Sequence, residues 1–215
     1  IPLIRGELVS RTEVEILKEV EELLDRGVVE IVLIAQDLAS YGADRGDRGL
    51  VALVKSILRL QRRFWLRLLY LHPDHFPADL LDVMAEDPRV LPYLDIPFQH
   101  ASTTVLAKMG RSGSARTYAA LVRGIRARIP EAVIRSTFLV GFPGEGEEDL
   151  ARLLSFQREC PLDWVGVFTY SREEGTPAYD LPGRVARKVA EARKRRVEEA
   201  QIEISERRLD RQGGK

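Results

Sequence analysis

The sequence predicts an α/β fold built on a parallel sheet, of the partial TIM-barrel kind. Three observations predict it. Five short apolar runs recur along the chain: VVEIVLIA (Val28–Ala35), FWLRLLYL (Phe64–Leu71), YLDIPF (Tyr93–Phe98), AVIRSTFLV (Ala132–Val140) and DWVGVFTY (Asp163–Tyr170). A helix-length segment separates each run from the next, which is the signature of parallel strands joined by right-handed crossovers. Polar or glycine-rich residues stand just past every run. Such strands wind either as a doubly wound sheet or as a full or partial barrel. The strand ends favour the barrel, because there the carboxyl ends of all strands share one rim.

Each element has its local reason. TEVEILKEVEELLD (Thr12–Asp25) places Val14, Ile16, Leu17, Val20, Leu23 and Leu24 on one side, so it reads as an amphipathic helix capped by Ser10 or Thr12. Arg26-Gly27 closes it, and the β-branched content of Val28–Ala35 reads as a buried strand. After the polar stretch QDLASYGADRGDRG comes a helix over Leu50–Leu60, then the second strand, ended by HPDHFP. Helices over Ala78–Glu86, Tyr118–Arg128 and Glu147–Glu159 alternate with the remaining strands. From Arg184 the composition changes to a long charged helix with a modest apolar stripe of Val185, Val189, Val197, Ile202 and Ile204. It reads as a solvated helix lying on the core, or as a basic face for an acidic partner, since Arg184–Arg196 holds seven Lys/Arg against one Glu. The domain reading is therefore a core over residues 1–182 and a charged helix over 183–215.

Composition narrows the classes. The 215 residues are 45% hydrophobic, enough for one sizeable core, and no apolar run reaches the length of a membrane span. No signal peptide is visible, which points to a cytoplasmic protein. The single cysteine, Cys160, allows neither an internal disulfide nor a cysteine-built metal site. Thirty-three basic and 33 acidic residues cancel, against a broadly basic nucleic-acid surface. No G-x-G-x-x-G follows a strand, no phosphate loop with its lysine occurs, and no nucleophile elbow is present.

Candidate site residues lie at strand ends. Gln36 and Asp37 follow the first strand, with an Asx turn as the alternative for Asp37. His72, Asp74 and His75 suggest metal ligands, but H-x-x-H before Pro77 with no third ligand nearby is a weak pattern. Gln99 and His100 close the third strand and need partners. Arg135 lies inside an apolar strand, where a guanidinium is costly unless paired. It reads either as a clamp for a ligand carboxylate or as an internal salt bridge with Asp95 or Asp37. The Gly141-Phe142-Pro143-Gly144 turn ends the fourth strand where a ligand can approach backbone.

Taken together, IPLIRGELVSR, IVLIAQDLASYG, LRLLYLHPDHF, YLDIPFQHAS, LAKMGRSGS, STFLVGFPGE and FTYSREEGTPAY, in this order and spacing, resemble the methylthiotransferase branch of the radical S-adenosylmethionine (SAM) enzymes. The likeness runs along nearly the whole chain. Leu71-His72-Pro73, Gln99-His100-Ala101 and Glu173-Glu174-Gly175-Thr176 bring it nearer to the ribosomal-protein-modifying members than to the tRNA-modifying ones.

The resemblance implies a six-stranded partial barrel whose first strand and C-x-x-x-C-x-x-C cluster loop lie upstream of Ile1. An N-terminal domain would precede that loop, and a TRAM domain would follow Lys215. This stretch alone would then be inactive. The cofactors implied are SAM and two [4Fe–4S] clusters, none ligated by these residues. The residues expected to hold SAM are Gln36, Gln99, Arg135, Thr137, Gly141, Phe142 and Pro143, with Arg135 on the carboxylate and Thr137 facing the same side. Gly141 and Gly144 would let peptide groups approach the adenine. The acids from Glu145 to Asp149 read as a structural helix start. The implied activity is a transferase adding methylthio to the β-carbon of an aspartate in ribosomal protein uS12. The partners are uS12 and an electron donor such as flavodoxin, with no membrane and no strong nucleic-acid binding. The alternatives are methylthiolation of tRNA adenosine, a metal-dependent TIM-barrel lyase using Asp37, His72 and His75, and a non-catalytic scaffold.

Overall fold

The computed structural model describes residues 6–46 and 49–212. Ile1–Arg5, and with them the start of the IPLIRGELVSR segment, lie outside the described residues. All five expected strands are present: β1 (Glu30–Leu33), β2 (Trp65–Leu68), β3 (Val90–Asp95), β4 (Val133–Val140) and β5 (Trp164–Thr169). They belong to one sheet, in the order β1-β2-β3-β4-β5. A doubly wound sheet would reverse its order at a switch point. Among the described residues no reversal occurs, and the order is that of a barrel segment.

The chain divides into two compact units. The first comprises Ile1–Asp95 with Ile125–Ala132. Its helix α1 (Glu13–Asp25) starts at Thr12, whose hydroxyl accepts from the Glu15 N–H while the Glu15 carboxylate accepts from the Thr12 N–H. This capping box satisfies two amides that a helix start otherwise leaves bare. Ser10, the other expected cap, bonds Asp44 instead, at 2.9 Å from its N–H and 2.5 Å from its hydroxyl. Strands β1 and β2 pair in parallel, with Ile31 opposite Leu66 and Leu33 opposite Leu68 on the buried face. Between β2 and β3 the register shifts from Leu66↔Val90 to Leu68↔Leu94, a bulge that lengthens β3. Helices α2 (Gly49–Leu58) and α3 (Leu80–Glu86) bury Leu53, Val54, Ile57, Leu80 and Val83.

The second unit comprises Ile96–Gly124 and Val133–Lys215. Strand β4 alternates strictly, with Ile134, Ser136, Phe138 and Val140 buried and Arg135, Thr137 and Leu139 on the half-open face. Its parallel register with β5 sets Arg135 opposite Trp164, Thr137 opposite Gly166 and Leu139 opposite Phe168. Phe98, Tyr118, Phe138 and Phe156 form an aromatic core, with Phe98 4.7 Å from Tyr118 and 5.5 Å from Phe156 between ring centroids. A short helix absent from the sequence reading, α4 (Thr103–Lys108), precedes α5 (Ala115–Arg128). Six residues are too few for a periodic pattern to show.

Helix α6 (Glu147–Glu159) is followed after β5 by α7 (Arg187–Gln212). The expected apolar stripe of α7 needs correction. Val189 and Ile202 are exposed, and the buried face runs Ala190, Arg193, Val197, Ala200, Gln201, Ile204. Two polar residues sit in that face because partners await them: Arg193 donates to Glu145 Oε1 at 3.0 Å, and Gln201 Oε1 accepts from Gln157 at 3.0 Å. Among the described residues no helix is long and apolar enough to cross a membrane.

Candidate functional site

In the second unit, the site grows from the carboxyl end of β4. Gly141 and Gly144 both adopt left-handed backbone, φ +76° and +77°. A side chain at either is strained by conformation alone. Space is also short. A Cβ on Gly141 would stand 2.5 Å from the Ala190 Cβ of α7, and one on Gly144 would meet the Lys108 ammonium. The Gly183 carbonyl accepts the Gly144 N–H at 2.7 Å. The room left by the two glycines is thus taken by α7 and Lys108. Gly141, Phe142 and Pro143 are buried, and the Phe142 ring turns inward against Tyr170, 5.1 Å between centroids.

Glu145 is the centre of the turn. Its Oε2 accepts the Gly141 N–H at 2.7 Å and the Phe142 N–H at 3.3 Å. Arg193 of α7 donates to its Oε1 at 3.0 Å and to its carbonyl at 2.9 Å. Burial pushes the Glu145 carboxyl up, and Arg193 and the two amides pull against it. The next acid in the turn, Glu147, pairs with Arg196 of α7. Asp149 accepts from the Gly146 N–H at 2.8 Å and the Ser102 hydroxyl at 2.5 Å. Burial is the largest influence on Asp149 and pushes it up, yet these bonds together hold it below its ordinary range. The acids after the turn therefore do more than start a helix. Glu145 folds the turn, a role that only the position of Arg193 reveals.

Beside this turn stand the residues of the third strand's extension. Phe98 N–H donates to Ser136 Oγ at 3.2 Å, Gln99 N–H to the Thr137 carbonyl at 2.8 Å, and Leu139 N–H to the Gln99 carbonyl at 2.7 Å. Gln99 is thereby locked at φ +65°, left-handed backbone that a non-glycine residue rarely adopts. Strain of this kind, about 1–3 kcal/mol, persists where the surroundings over-determine it, and clusters at functional sites. Gln99 is thus tied by its backbone to Thr137 and Leu139 of β4, the strand that runs into the turn. Arg135 lies on the same face, two residues earlier on β4 and opposite Trp164.

One group was missed in sequence. The Arg111 guanidinium, in the loop after α4, donates to the Pro97 carbonyl at 3.0 Å, two residues before Gln99. This half-buried cation stands at the strand end itself. The conjunction of LAKMGR with a strand end twelve residues earlier was its only sequence signal.

His100 is fully buried. Its Nδ1 accepts the Ser102 N–H at 2.9 Å. Burial, with Arg193 adding and Asp149 opposing, lowers its pKa to about 4, so the ring is neutral.

The first unit carries the other expected residues. Gln36 is exposed past the end of β1. Asp37 accepts from the Ala39 N–H at 3.0 Å, the Ser40 hydroxyl at 2.5 Å, the His72 N–H at 3.3 Å and His75 Nδ1 at 2.7 Å. Burial pushes Asp37 up, but the Ser40 and His75 bonds outweigh it and the carboxyl is held low. The His72 and His75 rings stack with centroids 4.8 Å apart. Ligand atoms of Asp37, His72 and His75 lie within 4.8 Å of one another, close enough to hold a cation. The hydrogen bonds favour a different use. His72 Nδ1 accepts the Asp74 N–H at 3.2 Å, which leaves the neutral ring's proton on Nε2, the nitrogen a metal would need. Asp37 is meanwhile engaged by four donors as the cap of a 3-10 turn.

Comparison with known proteins identifies the family. Residues 3–156 match the radical SAM superfamily. Ribosomal protein uS12 methylthiotransferase RimO of Treponema denticola is 43% identical over 98% of this chain and 49% of its own length. Its counterpart from Pelotomaculum thermopropionicum is 48% identical over 95% of this chain and 46% of its own length. The chain thus spans about half the length of the curated relatives it matches. Among solved structures, coproporphyrinogen III oxidase from Escherichia coli, a radical SAM enzyme, superposes with a TM-score of 0.64 at 15% identity, over 91% of this chain and 46% of its own. That likeness bears on the fold alone.

Proposed function

Since the chain belongs to the radical SAM superfamily, we propose that it binds S-adenosylmethionine at the β4 strand end, within a cytoplasmic enzyme that adds methylthio to the β-carbon of an aspartate in ribosomal protein uS12. The carrying observation is the left-handed Gln99, bonded through both backbone groups to β4 beside a turn that a buried carboxylate holds closed. The names of the similar RimO proteins support the substrate.

The residues fit the nucleoside and its amino-acid tail. Glu145 consumes the N–H groups of Gly141 and Phe142, and these residues and Pro143 are buried, so the turn shapes the site from behind. A ligand meets the half-open groups instead. Leu139 offers an apolar wall to the adenine, and the Gln99 amide and Thr137 hydroxyl suit ribose oxygens. Arg111, tied to the Pro97 carbonyl, suits the carboxylate. Arg135 is the second candidate for that anion, and Gln36, exposed past the end of β1, is a candidate by the resemblance alone. When bound beside a reduced [4Fe–4S] cluster, SAM supplies a 5′-deoxyadenosyl radical able to take hydrogen from an unactivated carbon. The donor set of this chain does not fit such a cluster, since its one cysteine, Cys160, is buried and without companions. A one-electron donor such as flavodoxin would serve the whole enzyme.

Isothermal titration of SAM into the chain tests the binding. We expect saturable one-site binding, weakened about tenfold or more in Gln99→Ala and Arg111→Ala. No binding by the wild type overturns it. Mass spectrometry of uS12 from cells lacking the gene tests the substrate. The methylthio-aspartate should disappear, and its persistence alongside loss of methylthio-adenosine from tRNA would assign the enzyme to tRNA.

A further inference from the structure

The Glu145 oxygen that holds the turn faces a third group. His100 Nε2 stands 3.9 Å from Glu145 Oε2, with both side chains fully buried. Because His100 Nδ1 accepts the Ser102 N–H, the proton of the neutral ring lies on Nε2. Nε2 has no hydrogen-bond partner among the described residues. Its N–H dipole therefore meets the carboxylate across a gap too long for a hydrogen bond and too short for a bridging water. Oε2 already receives two amides, which fill the lone pairs of one carboxylate oxygen. In dry surroundings a dipole so placed still acts strongly on a charge.

We propose that His100 is a positioning residue, whose Nε2–H fixes the Glu145 carboxylate and, through it, the Gly141 and Phe142 amides that shape the nucleoside site. The proposal rests on the reading of that site as the SAM site. His100 itself touches no ligand, being sealed inside. The remaining neighbours of the pair are consistent with this: Arg193 occupies the other carboxylate oxygen, and Asp149 is engaged by Ser102 and Gly146.

Two substitutions separate the ring's nitrogens. Asparagine reproduces Nδ1 and keeps the Ser102 contact, but stops short of Glu145. Glutamine reaches as far as Nε2 and carries a donor there. Amide hydrogen exchange, read by NMR on the chain without ligand, should show Gly141 and Phe142 exchanging about tenfold faster in His100→Asn. The α6 amides of Leu153 and Leu154 should be unchanged, and His100→Gln should restore the turn. SAM affinity should follow the same order. Unchanged exchange at Gly141 and Phe142 in His100→Asn overturns the proposal. So does equal acceleration at Leu153 and Leu154, which marks a merely structural role. Should the asparagine variant not fold, His100→Gln alone decides: wild-type exchange at the turn supports the donor, and faster exchange there overturns it. A wild type that binds no SAM while the asparagine variant loosens the turn defeats the functional reading and leaves the positioning role standing.

Discussion

Arg193 donates from one guanidinium nitrogen to both the Oε1 and the main-chain carbonyl of Glu145, at 3.0 and 2.9 Å, in a pair almost wholly removed from water. A buried pair of this kind is weak evidence for stability in itself, but breaking it strands the remaining charge. Arg193→Ala should therefore cost about 3–5 kcal/mol. Urea denaturation reads this directly. Glu145→Gln keeps an acceptor for the two amides but turns an NH2 towards Arg193 and strands its charge, so it should cost a comparable amount. A loss in Glu145→Gln far below that of Arg193→Ala would show that the charge of Glu145 is not what holds Arg193.

Gly141 and Gly144 share a backbone conformation but differ in what lies over them. The neighbour of Gly144 is the tip of a flexible lysine, whereas that of Gly141 is a helix side chain at Ala190. Gly141→Ala should thus be the more damaging. Both carry about 1–2 kcal/mol of left-handed strain, and Gly141→Ala adds the clash. Combining it with Ala190→Gly should recover the clash and leave the strain. Thermal midpoints of the three variants check this, and a double variant no better than Gly141→Ala would refute it.

Stability should fall as the pH is lowered from about 6.5 towards 4. The folded state holds His100 at about 4, below its ordinary 6.5, so the unfolded chain binds the extra proton first across that window. The contribution is present above 6.5 and lost as the pH falls through 4, and amounts to about 3 kcal/mol. Glu145 works in the opposite sense, since its folded pKa is raised. Asp149 and its depressed pKa act at lower pH. The difference in urea midpoint between pH 7 and pH 5 should shrink in His100→Gln, and an unchanged difference would assign the acid sensitivity elsewhere.

Gln99 trades stability for position. Its φ of +65° suits glycine, so Gln99→Gly should leave the fold as stable or up to about 1 kcal/mol more stable. SAM affinity should nonetheless drop, because the amide proposed to meet the ligand is gone. Calorimetric melting and SAM titration on one sample check both halves. A glycine variant that binds SAM as well as the wild type would remove Gln99 from the site.

Much of this was legible in the sequence because it is local. The capping box at Thr12 and Glu15 spans four residues, the alternation of Val133–Val140 is a period of two, and the two glycines mark their own turn. From such signals the order of helices and strands follows, and so does the placement of Gln99 and Gly141 at strand ends and of Thr137 on the face of Arg135. The tertiary structure decided the rest, which depends on groups far apart in the chain. Glu145 reads as one acid among several until Arg193, 48 residues away, is packed against it. The buried face of α7 reads as solvated until Gln157 supplies the partner that Gln201 needs. His100 reads as a polar strand end in need of a partner until packing seals it 3.9 Å from a carboxylate. Propensity and periodicity act over a few residues, whereas the pairing of buried charge is settled only when the packed elements bring those charges out of water together.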